Sequence, residues 1–322
     1  MNKLALALAT LGLATSLHAQ TTDDAPTVTP AIAGVVAAGT RIELIKDGFN
    51  GTEGPTGLAD GSLLFTETPA NRITRIGADG QTSVFIDDSN GANGLAFTPN
   101  GDLYAVQVLK PRVGILYPPQ HRRVLAEQFE GAGFSRPNDL VVDRAGNVYF
   151  TDSGPNLRPG EAPPPNINKP AIYRITAAGA LQRIANGIER PNGIQLSPDE
   201  KTLYVANTAG EHVLAFDIAA DGAVGAARNF AKLAGFRTTE TGATSSGADG
   251  LAVDAEGRLY VASSVGLQVF SPAGAALGTI ALPKAPQNLA FAGPDKKTLY
   301  VVGRGAAYRI AVLTPGYAGR SK

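Results

Sequence analysis

The sequence predicts an all-β protein, a six-bladed β-propeller with four antiparallel strands per blade, and three observations lead there. A unit made of an acidic or amide residue, an apolar strand, a tight turn and a returning strand occurs six times. It reads EGPTGLADGSLLFTE, NGLAFTPNGDLYAVQ, NDLVVDRAGNVYFTD, NGIQLSPDEKTLYVAN, DGLAVDAEGRLYVAS and NLAFAGPDKKTLYVVG. The leading residues, Glu53, Asn93, Asn138, Asn192, Asp249 and Asn288, follow at intervals of 40, 45, 54, 57 and 39 residues, a blade's length of chain. Composition agrees, with 38 Gly and 22 Pro in 322 residues and few long helical periodicities.

Taken in order, MNKLALALATLGLATSLHAQ carries one Lys, an apolar run from Leu4 to Leu13 and a small residue at Ala19. It reads as a secretory signal peptide over 1–19, which implies a periplasmic or secreted protein. The apolar run is too short to span a bilayer, and no later run is longer. Residues 20–38 are polar, Pro- and Ala-rich and aperiodic, and are expected as a flexible lead-in. Arg41–Ile45 is a strand without a local partner. Six units follow within a propeller assigned to 39–315, and 316–322 is left as a tail. Within units, Asp60-Gly61, Asn100-Gly101, Ala145-Gly146 and Glu256-Gly257 supply the positive φ of tight hairpins. Third and fourth strands follow, such as Arg72–Ile76 with Ser83–Ile86, and Ile172–Ile175 with Leu181–Ile184. The last unit offers three strands, so the strand at 41–45 is expected to complete the sixth blade and close the ring.

Lys and Arg total 28 against 28 Asp and Glu, with no basic cluster, which argues against a nucleic-acid partner and for a small ligand. There is no cysteine. Innermost strands line a propeller's channel, so the six leading residues converge near its axis. One Asn-Gly would be an ordinary strand start. Two carboxylates and four amides in a narrow space repel or stay unpaired unless a cation joins them. Hard oxygen donors without thiolate fit Ca²⁺, with another divalent cation as the alternative, and either a catalytic or a wholly structural ion meets the requirement. The expected ligands are Glu53, Asn138, Asn192 and Asp249, with Asn93 and Asn288 facing substrate. Glu67 and Asp152, at the ends of returning strands, are expected to support them from behind. The Pro-rich 155–170 and the 238–247 stretch leave from the same face and are candidate walls of a pocket.

With Glu53-Gly54-Pro55, Arg136-Pro137-Asn138-Asp139, Tyr149-Phe150-Thr151-Asp152, Pro191-Asn192-Gly193, Asp249-Gly250 and Gly293-Pro294-Asp295 in this order, the chain resembles the senescence-marker-protein/gluconolactonase/luciferin-regenerating-enzyme-like family from about Glu43 to Ile310. The resemblance implies a six-bladed propeller with a divalent metal, usually calcium, and hydrolysis of sugar lactones. It also implies metal binding by Glu53, Asn192 and Asp249, a metal or substrate role for Asn138, and substrate contact by Arg136. The chain departs from the family pattern at Thr56-Gly57 and Gln107-Val108, which leaves the lactone unspecified.

The resulting expectation is a metal-dependent lactonase. The cation polarises the carbonyl, Asp249 activates water and Arg136 orients the substrate. A paraoxonase-like phosphotriesterase or aryl esterase, and a secreted binding propeller without turnover, are the alternatives. A serine hydrolase is excluded by the absence of a Gly-x-Ser-x-Gly elbow and by only three His, of which His121 falls on the face away from the anchors.

Overall fold

The computed structural model describes residues 27–322 apart from 159, 239 and 241, so the signal-peptide reading and residues 20–26 lie outside the described residues. Six four-stranded antiparallel sheets follow one another around a ring. The described residues contain no α-helix, only two short 3-10 turns at Thr68–Ala70 and Pro119–His121. No helix among them is long and apolar enough to cross a membrane.

Each blade runs outward from the axis. Blade 1 comprises Glu53–Gly57, Leu63–Glu67, Arg72–Ile76 and Thr82–Asp87, and blade 2 comprises Ala92–Phe97, Leu103–Gln107, Arg112–Tyr117 and Arg123–Ala126. Blade 3 holds Pro137–Val142, Val148–Asp152, Ala171–Ile175 and Leu181–Asn186, and blade 4 holds Pro191–Leu196, Thr202–Asn207, His212–Asp217 and Arg228–Lys232. Blade 5 is Leu251–Val253, Leu259–Ser263, Gly266–Phe270 and Ala276–Ile280. In blade 6, Asn288–Ala292, Thr298–Gly303 and Ala306–Ala311 are joined by Glu43–Lys46, which pairs antiparallel with the last of them. The ring is thus closed as expected, two residues later than the sequence suggests, because Ile42 donates its N–H to the Thr27 carbonyl and Arg41 bridges Val28.

The inner two strands of the blades are largely buried on both faces, as the continuous runs Leu140–Val142 and Leu259–Val261 require, while the outermost strands are mostly half-buried or exposed. Blades pack face to face through these side chains. Tyr260 of blade 5 meets Phe291 of blade 6 edge-on at 5.2 Å, both essentially without solvent contact. Burying each such ring contributes about 2 kcal/mol.

The hairpins form as expected where glycine is present, Gly61, Gly101, Gly146 and Gly257 having φ of 85°, 83°, 87° and 78°. In blades 4 and 6, where the sequence has no glycine there, Glu200 and Lys296 take the left-handed conformation with φ of 62° and 51°. Left-handed backbone costs a non-glycine residue about 1 kcal/mol, and here both side chains are used. Glu200 pairs with Arg320 at 3.1 Å, and the Lys296 Nζ donates to the Tyr317 carbonyl at 3.1 Å.

Those partners belong to a segment the sequence marks as a tail, and its placement is a correction. Residues 316–322 cross the face opposite the anchors and bond to every blade. The Gly57 N–H donates to the Ser321 carbonyl at 3.1 Å, the Phe97 N–H to Ser321 Oγ at 2.9 Å, and the Tyr317 N–H to the Val253 carbonyl at 3.1 Å. Arg320 donates to the Ser197 carbonyl at 3.1 Å, and the Gly316 N–H to the Lys296 carbonyl at 2.9 Å. Lys322 enters the channel and pairs with Asp139 of blade 3, both side chains 1% exposed. The flexible lead-in is corrected likewise over 27–38. Ile32, Val35 and Val36 are buried against blades 5 and 6, and the Leu313 N–H donates to the Val35 carbonyl at 2.9 Å. Three apolar side chains within five residues bury enough surface to order the stretch.

Candidate metal centre and active site

The leading residues reach the axis because the innermost strands are irregular where they begin. In blades 1 to 4 the register to the second strand shifts just after the anchor, between Glu53 and Thr56, Ala92 and Leu95, Pro137 and Leu140, and Pro191 and Ile194. A bulge re-aims the side chain at that point. The glycine after the anchor has a separate cause. A Cβ on Gly54, Gly193 or Gly250 would strike the Asn93 carbonyl, the Asp249 carbonyl or the Asn288 side chain of the next blade. Hydroxyls at the ends of second strands then hold the neighbouring anchor's backbone, with Thr66 Oγ1 donating to the Asn93 carbonyl at 2.9 Å and Thr151 Oγ1 to the Asn192 carbonyl at 2.6 Å.

The result is a cavity of about 480 Å³ at the anchor face, lined by Glu53, Asn93, Arg136, Asn138, Asn192 and Asp249, with Arg190, Thr208, Gln287 and Arg304. Asn192 donates Nδ2 to Thr208 Oγ1 at 3.1 Å, which turns its carbonyl oxygen away from that donor. Thr208 in turn donates to the Ala248 carbonyl at 2.7 Å, next to Asp249. Asn288 is buried and does not line the cavity; its Nδ2 donates to Glu53 Oε2 at 3.1 Å while its Oδ1 accepts from the Leu289 N–H at 2.9 Å. It therefore props Glu53 rather than facing a ligand as the sequence suggests. Asn93 lines the cavity, but both amide atoms are committed, Oδ1 accepting from Thr68 at 3.0 Å and Nδ2 donating to the Asn138 carbonyl at 2.8 Å.

The two residues expected behind the site act on backbone. Asp152, fully buried, accepts from the N–H groups of Ser135 at 2.7 Å and Arg136 at 2.8 Å, and so fixes the chain that carries Arg136 and Asn138. Glu67, also buried, accepts from the Asn50 N–H at 2.9 Å and from Arg72 at 2.8 and 2.9 Å, steadying the approach to Glu53 without touching it.

Electrostatically the cavity sets the carboxylates of Glu53 and Asp249 among the guanidinium groups of Arg136, Arg190 and Arg304, and among the described residues neither carboxylate is bonded to an arginine. Burial pushes the Glu53 carboxyl up to about 7, the Asn288 hydrogen bond opposing and the Asp139 charge assisting. Asp249 is raised well above the usual carboxylate range by burial and by the charges of Glu53 and Asp139. Among the described residues no donor reaches the Asp249 carboxylate. Arg136 is lowered by burial and by Arg190, while Asp249, Glu53 and Asp152 favour its charge; its Nε is buried without a partner. Asp139 Oδ2 is likewise buried and unpartnered. A divalent cation fits this donor set, since two repelling carboxylates and two amides meet its charge and its preference for oxygen. Among the described residues no cluster of three or more His, Cys, Asp or Glu exists, so amides must contribute to any such site.

Sequence reasoning missed Arg190, Arg304, Gln287, Asp139 and Lys322. Arg190-Pro191-Asn192 duplicates Arg136-Pro137-Asn138, a repeat that would have found Arg190.

The model of the SMP-30/Gluconolactonase/LRE-like region matches residues 51–304, nearly the whole ring. The chain belongs to that family. A gluconolactonase of Zymomonas mobilis is 28% identical over 315 residues, covering 89% of this chain and 85% of the relative. The structure of a gluconolactonase from Xanthomonas campestris superposes with a TM-score of 0.77 at 26% identity, covering 90% of this chain and 95% of the other. A 6-deoxy-6-sulfogluconolactonase of Pseudomonas putida is 31% identical over 183 residues, covering 55% of this chain and 57% of the relative. As a member of the SMP-30/gluconolactonase/LRE-like family the chain forms a six-bladed propeller, with Glu53 and Asp249 at its anchor face.

Proposed function

We propose that this protein is a divalent-cation-dependent lactonase that opens the ring of a sugar lactone, with Ca²⁺ as the cation. The observation that carries the reading is the gathering of Glu53, Asn138, Asn192, Asp249 and Arg136 around one cavity in a chain whose relatives include gluconolactonases. Glu53, Asn138, Asn192 and Asp249 would hold the cation, which supplies Lewis-acid polarisation of the lactone carbonyl.

The remaining work falls to the chain. Arg136 offers guanidinium N–H groups to substrate oxygens, and its orientation is set by Asp152 gripping its backbone. The Asp249 carboxylate, with raised proton affinity and no protein donor among the described residues, accepts a proton from the attacking water. The water oxygen bonds to the carbonyl carbon, the ring C–O bond breaks, and Asp249 returns the proton to the departing ring oxygen, giving a hydroxy acid.

The test is acid release from glucono-δ-lactone, with and without chelator and Ca²⁺, by wild type and Asp249→Asn. Calcium-restored turnover in the wild type and its loss in a folded D249N protein are expected. Turnover of aryl phosphoesters but not lactones would overturn the reading.

A further inference from the structure

A second cavity, of about 710 Å³, lies beside the anchor cavity, and Arg190, Thr208 and Ser245 line both. One wall is the connection between the second and third strands of blade 3, presenting Leu157, Pro163, Pro164 and Ile167; Ala209 and Ala243 face it from the blade 4 side. Of its charged residues, Lys169 and Glu189 are exposed to solvent and Arg190 is half-buried. Prolines fix much of the wall's backbone in advance. The connection is also tied down at both ends. Arg190 Nη2 donates to Asn156 Oδ1 at 2.7 Å, and the Asn168 side chain donates to the Ala132 carbonyl at 2.7 Å. The opposite wall is held by the hairpin of Arg237–Thr238 and Thr244–Ser245, with Thr244 Oγ1 donating to the Ala209 carbonyl at 2.8 Å. Leu157 nevertheless remains 39% exposed, a large apolar side chain at the edge of a formed cavity.

The two cavities ask for opposite chemistry. The anchor cavity offers carboxylates, amides and guanidinium groups, whereas its neighbour offers aliphatic side chains and four proline rings, and its Ser153, Asn168, Thr208 and Thr244 side chains already donate to backbone carbonyls. A second polar ring placed against Leu157, Ile167, Ala209 and the prolines would leave hydroxyls on that side unpaired, and an alkyl or aryl group would be desolvated on contact. We propose that the second cavity is a substrate subsite, and that lactones bearing an apolar substituent bind with the ring among the anchors and the substituent against Leu157, Ile167 and Ala209. This rests on the lactonase reading for the ring and adds the class of its substituent.

The experiment is a homologous series from δ-valerolactone through δ-octalactone, δ-decalactone and δ-dodecalactone, with glucono-δ-lactone alongside, on the calcium-loaded full chain. Each added methylene is expected to lower KM by about two- to fourfold until the cavity is filled, with kcat little changed. Leu157→Asp and, separately, Ile167→Asn are expected to flatten that dependence; Leu157 lies on the surface, so its variant keeps the melting temperature. A flat series in the wild type, or a slope that survives both folded variants, overturns the proposal while leaving glucono-δ-lactone hydrolysis to support the lactonase reading. Should no lactone be turned over, that reading fails by itself. The subsite is then decided by calorimetric binding of the same series, where affinity rising with chain length supports it and chain-length independence overturns it.

Discussion

Replacing Lys322 by Met removes the ammonium that pairs with Asp139 inside the channel while keeping the length of the side chain. Both partners are 1% exposed, and Asp139 Oδ2 already lacks a donor, so the carboxylate left behind keeps only the Leu140 N–H at 2.9 Å among the described residues. Breaking a buried pair from one side costs about 3–5 kcal/mol, because the remaining charge is neither solvated nor paired. For a ring of about 300 residues the unfolding entropy is about 0.6 kcal/mol per kelvin, so the melting temperature falls by about 5–8 °C. The assay is calorimetric unfolding of the metal-free protein at pH 8 for wild type, Lys322→Met, Asp139→Asn and the double variant. The double variant, with neither charge, should regain most of the loss, a coupling of at least about 2 kcal/mol. A fall below 1 °C for K322M, or a double variant no better than it, would refute the pairing. Divalent cations should bind K322M more tightly than wild type, because one more uncompensated carboxylate lies beneath Glu53 and Asp249.

Other outcomes follow from the same geometry. In the metal-free protein Glu53 holds its proton up to about 7 against an ordinary 4.5, so the folded state binds more protons across that window and stability falls as pH rises from about 4.5 to 7, by up to about 3 kcal/mol. Asp249 acts in the same direction, and with Ca²⁺ present the trend reverses, since binding requires both carboxylates ionised and expels their protons; a metal-free melting temperature that climbs through the window would contradict this. Thr208→Val removes the hydroxyl that orients the Asn192 amide and should weaken calcium binding about tenfold by titration calorimetry with little change in melting temperature. Gly193→Ala places a methyl against the Asp249 carbonyl and should cost about 3 kcal/mol by denaturant unfolding. The control Gly101→Ala, with φ of 83° and open space around its Cβ, should cost about 1 kcal/mol.

The ring is legible in the sequence because a blade is a local object: its strands, turns and anchor fall within one repeat. Glu53 and Asp249 stand out for the same reason, as carboxylates among amides at one repeat position. What escapes is set by contacts between repeats. Asp139 occupies the position after the anchor where four other units have glycine, yet its partner is 183 residues away, in a segment with no repeat to compare with. The substitution of Glu200 and Lys296 for turn glycines reads as a loop variation until Arg320 and Tyr317 are seen resting on them. Asn93 and Asn288 share the anchor position, but whether an amide faces the cavity or a neighbouring blade depends on which donors Thr68 and Leu289 present. Residues 27–38 look unstructured because four Ala, one Pro and one Gly leave no strand or helix period. Only the spacing of Ile32, Val35 and Val36 hints at packing.

The seam of the ring sets when the fold can be completed. Blade 6 is finished only when Glu43 meets Arg309, 266 residues later, at 2.7 and 2.8 Å. Five blades can assemble from neighbouring segments as the chain emerges, but this pairing must wait for nearly all of it, and its closure entropy is paid late. Until then the strand Ala306–Ala311 has an open edge, able to recruit the equivalent strand of a second molecule. The vulnerable moment in this protein's life is therefore the interval between the arrival of the sixth blade and the return of its first strand.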